Sequence, residues 1–338
     1  MKKLTILFII VDILAAACFV LVYSPIFEDF QNTIISTALI TKTHGYIAHI
    51  FWNEDRIALV QAAESYTPVD ATINLDDIVI DTSPRDSYDN EYDEAILTRD
   101  KNNDIYKYIK VKVGDYDGHL VAVYNPANVK LIKCKSFNTG YDGGKESVLK
   151  IVKRTGALVG INGGAFADDT GYGSDIPLGG VIKDGEVLWG SGEFSQLIAM
   201  TNDNKLLLVD ATPEDAVNNY NVRDALTFGP YLIVNGESIT YNSAAGGYSR
   251  AARSAIAQRK DGIILLLSTE GTHTAGPNML DLINTLKQYG AYNAANLDGG
   301  TSVQMVINNQ LVNTPKNIFG QKVEGGRSIV TGWGVFQD

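Results

Sequence analysis

Two Gly-Gly loops, each reached through a helical stretch and a short apolar run, constrain this chain more than any other feature. The second loop is Asn296-Leu297-Asp298-Gly299-Gly300-Thr301-Ser302, at the exit of the strand-like run Ala291 to Leu297. The first is Gly160-Ile161-Asn162-Gly163-Gly164-Ala165-Phe166, with Asn162 standing where Asp298 stands. Helical periodicity precedes both. Val148, Leu149, Ile151 and Val152 mark the first helix, and Met279, Leu282, Ile283 and Leu286 the second, behind the candidate N-cap Asn278. Gly156 and Gly290 occupy helix-stop positions. Paired glycines let backbone approach a ligand closely, and rigid scaffolds present reactive groups on loops. Asp298 is therefore a candidate for chemistry, with the hydroxyls of Thr301 and Ser302 beside it. The competing reading is an Asx turn with no chemistry.

The pattern continues downstream. Residues 181–188 read as a hairpin turning at Asp184-Gly185; 232–239 repeat it with Asn235-Gly236, and 305–312 with Asn308-Asn309. Helix, strand, Gly-Gly loop and hairpin thus recur in order, which predicts an internal duplication. Strands begin near residue 106: 108–113 alternate, Asp117-Gly118 reads as a turn, and Leu120 to Tyr124 answers it. The expected fold class is α+β, with mixed or antiparallel sheets and packed helices in two pseudo-repeated halves, preceded by a transmembrane helix.

Three segments follow from this. Lys2-Lys3 precedes an apolar run from Leu4 to Tyr23, interrupted only by Asp12. About twenty such residues span a bilayer core, and lysines before with acids after place the N-terminus inside. Residues 1–25 read as a transmembrane anchor, with a cleaved signal peptide as the rival reading. The expected location is the cell membrane, single-pass, with the C-terminal domain extracytoplasmic. Residues 26–104 read as a helical stalk and a solvated acidic linker, and residues 105–338 as the main domain. His44 and His49 on the stalk read as surface or packing residues. The net charge of −11 argues against nucleic acid as a partner. Two cysteines, Cys18 and Cys134, form no disulfide framework and no zinc spacing.

Charged residues recur at strand starts and ends. Arg253-Ser254 and Arg327-Ser328 each open a strand, and arginine presents a planar fork suited to phosphate or carboxylate. Glu270-Gly271-Thr272-His273 follows the apolar run Ile263 to Leu267. No nucleophile elbow, Walker loop or dinucleotide fingerprint occurs.

Taken together, Ile161 to Phe166, Gly229-Pro230 with Asn235-Gly236, Arg253 with Ala255-Ile256-Ala257, and Asn296 to Gly300 resemble the signature blocks of the phosphodiester glycosidase family. The resemblance covers residues 105–338. It implies hydrolysis of a sugar-1-phosphodiester at the sugar C1–O bond, in cell-envelope or exopolysaccharide glycans. Asp298 is then the first candidate for base or nucleophile and Glu270 the second. Arg253, Arg327 and backbone N–H groups at Gly163, Gly164, Gly299 and Gly300 would steady the departing phosphate. Asn162, His273, Thr301 and Ser302 would bind substrate. A phosphomonoester needs little protonation to leave, so cationic donors suffice where other glycosidases need a second, protonated carboxyl. No cofactor is certain, and a divalent cation stays open. The alternative class is a non-catalytic binding module for glycans or sugar phosphates. A metal-dependent phosphodiesterase cleaving the P–O bond is weakened by the lack of a visible His/Asp cluster.

Overall fold

The computed structural model describes residues 2–40, 45–69, 72–138, 145–167, 175–242, 247, 249–317 and 319–337. The chain divides into two compact units, Met1–Thr67 with Tyr241–Arg250, and Pro68–Thr240 with Ala251–Asp338.

The smaller unit is helical. Helix α1 (Lys2–Tyr23) is long and apolar enough to cross a membrane, with a mean hydropathy of 2.8 and none of that window buried. After a 3-10 turn (Pro25–Phe27) come α2 (Glu28–Ile40), α3 (Tyr46–Phe51) and α4 (Glu54–Glu64), and then strand β1 (Tyr66–Thr67). The described residues from 25 to 64 are thus largely helical. Ile35, Ala38, Ala48, Ile57 and Val60 form its small core. The last carbonyls of a helix lack partners within it. Here the Gln31 amide donates to the carbonyls of Leu21 and Ser24 at 3.0 and 2.8 Å, and Trp52 Nε1 donates to that of Val22 at 3.2 Å. His49 is a surface residue, 2.9 Å from Glu54 Oε1. His44 lies outside the described residues.

In the larger unit, the acidic stretch expected as a solvated linker is packed. It carries α5 (Glu91–Leu97), capped by the Asn90 side chain, and buries Ile78, Ile96 and Leu97. Its acids find partners: Asp93 Oδ1 accepts from Arg259 Nη1 at 2.7 Å, and Asp77 accepts from the Tyr292 hydroxyl at 2.7 Å. Apolar residues spaced between the acids dock the segment, and charge composition alone concealed them.

A second correction concerns the first hairpin. Strands β2 (Tyr106–Val113) and β3 (Tyr116–Val123) turn at Gly114-Asp115, where Gly114 takes φ +56°. Asp117-Gly118 lies inside β3, opposite Lys112 and Val111. An Asp-Gly pair signals a turn only where the flanking residues fall into register, and here the second strand already begins at Tyr116, so the pair lies within it.

The remaining elements are β4 (Val129–Lys133), α6 (Val148–Thr155), β5 (Val159–Asn162), β6 (Val181–Lys183), β7 (Glu186–Trp189), β8 (Ser195–Thr201) and β9 (Leu206–Ala211). They continue as α7 (Pro213–Tyr220), β10 (Val222–Thr227), β11 (Tyr231–Val234), β12 (Glu237–Ser238), β13 (Thr240–Tyr241), β14 (Ser254–Arg259) and β15 (Ile264–Thr269). Last come α8 (Met279–Gln288), β16 (Ala291–Leu297), β17 (Met305–Ile307), β18 (Gln310–Leu311) and β19 (Thr331–Val335). The three hairpins fall where the sequence puts them. Both central residues of each have positive φ: Asp184 and Gly185 at 53° and 78°, Asn235 and Gly236 at 54° and 83°, and Asn308 and Asn309 at 49° and 64°. Such turns match the twist of the flanking strands.

Among the described residues, the larger strands form three antiparallel sheets beside the two-stranded β1-β13, in the orders β7-β6-β10-β8-β9, β12-β11-β16-β14-β15-β3-β2 and β18-β17-β5-β19-β4. The class is α+β, as expected, but the topology does not sort the recurring segments into two halves. The hairpin after the first Gly-Gly loop, β6-β7, joins the five-stranded sheet of β10, while the hairpin after the second, β17-β18, joins the sheet of β5. The three sheets share one core that includes Val121, Leu131, Ile161, Ile198, Leu226, Ile256, Leu266, Leu297 and Trp333. Helix α6 covers the β5 sheet with Val148, Ile151 and Val152, all fully buried. Each such side chain contributes about 1.5–3 kcal/mol. Helix α8 starts with a capping box in which Asn278 and Asp281 each bond the other's backbone N–H. Cys134 is buried, and burial pushes its thiol above the ordinary value.

Candidate active site

Antiparallel pairing brings the chemical candidates to one end of the seven-stranded sheet. Ser254 pairs with Leu297 on one side and with Ser268 on the other, and Ser268 pairs in turn with His119. The start of β14 (Arg253), the exit of β16 (Asp298) and the exit of β15 (Glu270) therefore lie side by side. The junction is fixed by backbone. The Arg253 N–H donates to Thr269 Oγ1 at 2.8 Å, and the Thr269 N–H donates to the Arg253 carbonyl at 2.9 Å. Arg253 is buried, whereas Asp298 and Glu270 are half-buried.

Asp298 is held by the other Gly-Gly loop. Its N–H donates to the Gly163 carbonyl at 2.9 Å, and its carbonyl accepts from Asn162 Nδ2 at 2.6 Å. Asn162 Oδ1 accepts from Ser254 Oγ at 2.8 Å and from the Gln304 N–H at 3.0 Å. Asn162 is fully buried, so its amide holds the Asp298 loop instead of meeting a sugar. Gly163 and Gly164 are buried as well. A Cβ on Gly163 would stand 2.5 Å from Leu226 Cδ2 and 2.8 Å from Gly332 Cα. The Gly164 N–H donates to Thr331 Oγ1 at 3.2 Å, and that of Gly300 to the Ala252 carbonyl at 2.8 Å. These two N–H groups are spent inside the fold, a correction to the expectation that they face phosphate.

Ala252 joins two loops. Its carbonyl takes the Gly300 N–H, and its own N–H donates to the Thr272 carbonyl at 2.8 Å. His273 follows, and its Nδ1 lies 2.6 Å from where a Cβ on Gly300 would stand, so the His273 loop packs on the Asp298 loop. Gly299, Gly300, Thr301 and Ser302 make the turn beyond Asp298, with Thr301 half-buried and Ser302 buried. Arg327 is half-buried, its guanidinium 5.2 Å from the ring centre of Phe166. Its carbonyl accepts from Gln304 Nε2 at 2.9 Å.

Glu270 has its own support. Its Oε1 accepts from the Thr314 N–H at 3.0 Å and lies 3.3 Å from His119 Nε2. His119 Nδ1 is 2.9 Å from the Tyr108 hydroxyl, and the two rings are nearly parallel. Burial first, and then the charge of Glu270, push the Tyr108 hydroxyl above its ordinary value. Among the described residues, no group of three or more His, Cys, Asp or Glu could hold a metal ion.

Sequence reasoning missed His119, Tyr108, Ser254 and Gln304. Gln304 is fully buried and also accepts the Val148 N–H at 3.1 Å, capping α6. A polar residue inside an apolar strand was the only available signal: His119 before Leu120, and Gln304 before Met305.

A family model described as phosphodiester glycosidase matches residues 155–336, more than half of the chain. The chain belongs to the phosphodiester glycosidase family. An N-acetylglucosamine-1-phosphodiester alpha-N-acetylglucosaminidase of Mus musculus is 27% identical over 222 residues, 59% of this chain and 41% of the mouse protein. The Homo sapiens protein of the same name is 24% identical over 222 residues, 59% of this chain and 42% of the human one. The chain thus spans about two fifths of the length of these relatives. The solved catalytic domain of the zebrafish enzyme, described as auto-inhibited by its pro-peptide, superposes with a TM-score of 0.57 at 21% identity. It covers 71% of this chain and 86% of the zebrafish chain, which shows a shared fold. Family membership supports a hydrolase of glycosidase type.

Proposed function

We propose that this phosphodiester glycosidase hydrolyses sugar-1-phosphodiesters at the sugar C1–O bond, at Asp298. The observation that carries the reading is the placement of Asp298 beside Arg253 and Glu270 at one sheet end, its backbone clamped on both sides by Asn162 and Gly163. Asp298 acts at C1 as base toward water or as nucleophile. The C1–O bond breaks, the phosphomonoester departs with the bonding electrons, and a water oxygen ends on C1. The water's proton passes through the carboxylate. Arg253 and Arg327 steady the charge that develops on phosphate, with His273 beside them, because cations in a water-poor site act strongly on a forming anion. Thr301 lines the sugar side, while Asn162 and the buried Ser302 are positioning residues. Helix α1 anchors the chain, and the substrates belong to extracytoplasmic glycans of the cell envelope or exopolysaccharide.

The test uses the full chain in detergent with a panel of sugar-1-phosphodiesters in 18O-water, with and without EDTA, beside Asp298→Asn. Free sugar with a label-free phosphomonoester, lost in the variant, supports the reading. Sensitivity to EDTA would add a cation to the site. Label in the phosphate, or phosphate left on the sugar, would point to P–O cleavage and sink it. Saturable binding with no turnover would make the protein a binding module.

A further inference from the structure

The mechanism above leaves His119 and Tyr108 unused, although they form a continuous chain to a carboxylate at the site. His119 is 6% exposed, on a strand otherwise apolar from Leu120 to Val123. Burying an imidazole there has a cost unless both nitrogens are bonded. Both are. Nδ1 meets the Tyr108 hydroxyl at 2.9 Å, and Nε2 meets Glu270 Oε1 at 3.3 Å.

The order of protons follows from chemistry. A neutral imidazole carries one N–H, and which nitrogen holds it depends on the bond made by the other. A carboxylate only accepts, so Nε2 must be the donor toward Glu270. Nδ1 is then an acceptor, and the Tyr108 hydroxyl donates to it. Oε1 of Glu270 thereby receives two donors, His119 Nε2–H and the Thr314 N–H. Oε2 has no hydrogen bond among the described residues, and the side chain is 24% exposed. The two oxygens are therefore unequal: one is fixed in the fold, and the other is open to a ligand.

We infer that Tyr108 and His119 are positioning residues for Glu270, fixing its Oε1 so that it exchanges protons and contacts substrate through Oε2 alone. The inference deepens the proposed hydrolysis and rests on that reading for its kinetic arm. It gives Glu270 the part of a proton carrier toward the sugar hydroxyls, with Asp298 at C1. Among the described residues, these charged and titratable groups lie around His119. Tyr108 and Lys110 come from β2, Lys110 directly opposite in register; Asp117 lies on its own strand; Glu270 follows β15, where the residue opposite is the uncharged Ser268.

Two experiments test it in the full chain. The first is 15N NMR of histidine-labelled protein, with the four histidines sorted by the loss of one signal in His119→Gln. The expected result is His119 in the Nε2–H form at neutral pH, with its ring-nitrogen resonances moved in Glu270→Gln. An Nδ1–H form, or ring-nitrogen resonances unmoved by Glu270→Gln, overturns the inference. This arm needs no turnover, so it decides the matter even if no sugar-1-phosphodiester is cleaved, which would sink only the hydrolase reading. The second is kinetic. His119→Ala should lower kcat by about 100-fold, in the range of a lost proton-transfer partner, with KM nearly unchanged. His119→Gln, which keeps a donor toward Glu270, should recover most of that loss. Tyr108→Phe should shift a limb of the pH profile of kcat/KM. Wild-type turnover combined with unchanged kcat and pH profile in both His119→Ala and Tyr108→Phe overturns it.

Discussion

The two Gly-Gly loops begin alike and end differently. Asn162-Gly163-Gly164 is buried, with its amide and its Gly164 N–H bonded inside the fold. Asp298-Gly299-Gly300 is half-buried at its first two residues, and its backbone leans on the first loop. A similar local sequence thus supplies a foundation in one place and a working surface in the other. The amide suits the foundation because it both donates and accepts, whereas a carboxylate only accepts. At position 162 a carboxylate would face the Asp298 carbonyl, with no proton to offer it.

Reciprocal substitutions sharpen this contrast. Asp298→Asn should abolish turnover, by about 1000-fold or more for loss of a reacting carboxylate. Its melting temperature should stay near that of wild type, and a large drop in stability would make Asp298 structural instead. The mirror change, Asn162→Asp, should cost about 3 kcal/mol or more, read from denaturant unfolding, because it buries an unpaired charge. Wild-type stability there would break the comparison.

The glycines give a smaller effect in the same direction. Gly163→Ala drives a methyl against Leu226 Cδ2, Gly332 Cα and the Thr331 carbonyl, all within 3.1 Å. Overpacking of that kind costs about 1–3 kcal/mol. At Gly299 an added Cβ meets only the Ala252 carbonyl, at 3.0 Å, and φ is −107°. Gly299→Ala should therefore change stability by less than about 1 kcal/mol while raising KM, if the space above Gly299 belongs to substrate. Equal stability losses in the two alanine variants would erase the distinction between the loops.

Local features of this chain were legible in advance. The caps at Asn278 and Gly156 and the three two-residue hairpins depend on neighbours in sequence, and each was found in place. Asp117-Gly118 failed because the turn is set by strand register: Val113 pairs with Tyr116, so the second strand begins before the Asp-Gly pair. The packed acidic segment failed because its partners, Arg259 and Tyr292, lie more than 160 residues away. The site divides in the same way. Asp298, Arg253 and Glu270 stood out as charged residues at strand ends. The inward role of Asn162 was not legible, since it bonds residues of a different sheet, and the link from Tyr108 and His119 to Glu270 was not, since it depends on β3 pairing with β15.

The position of Ala252 bears on how a ligand arrives. One residue spends its N–H on the loop of Thr272 and its carbonyl on the loop of Gly300. Gly276 lies tightly against the same strand entry, where an added Cβ would collide with the Ala251 backbone. Both loops are seated on the same residue, so swinging either one out breaks a hydrogen bond to Ala252. Capture of a ligand should then be a single bimolecular event, its observed rate rising linearly with concentration in stopped-flow and showing no plateau from a slow isomerisation.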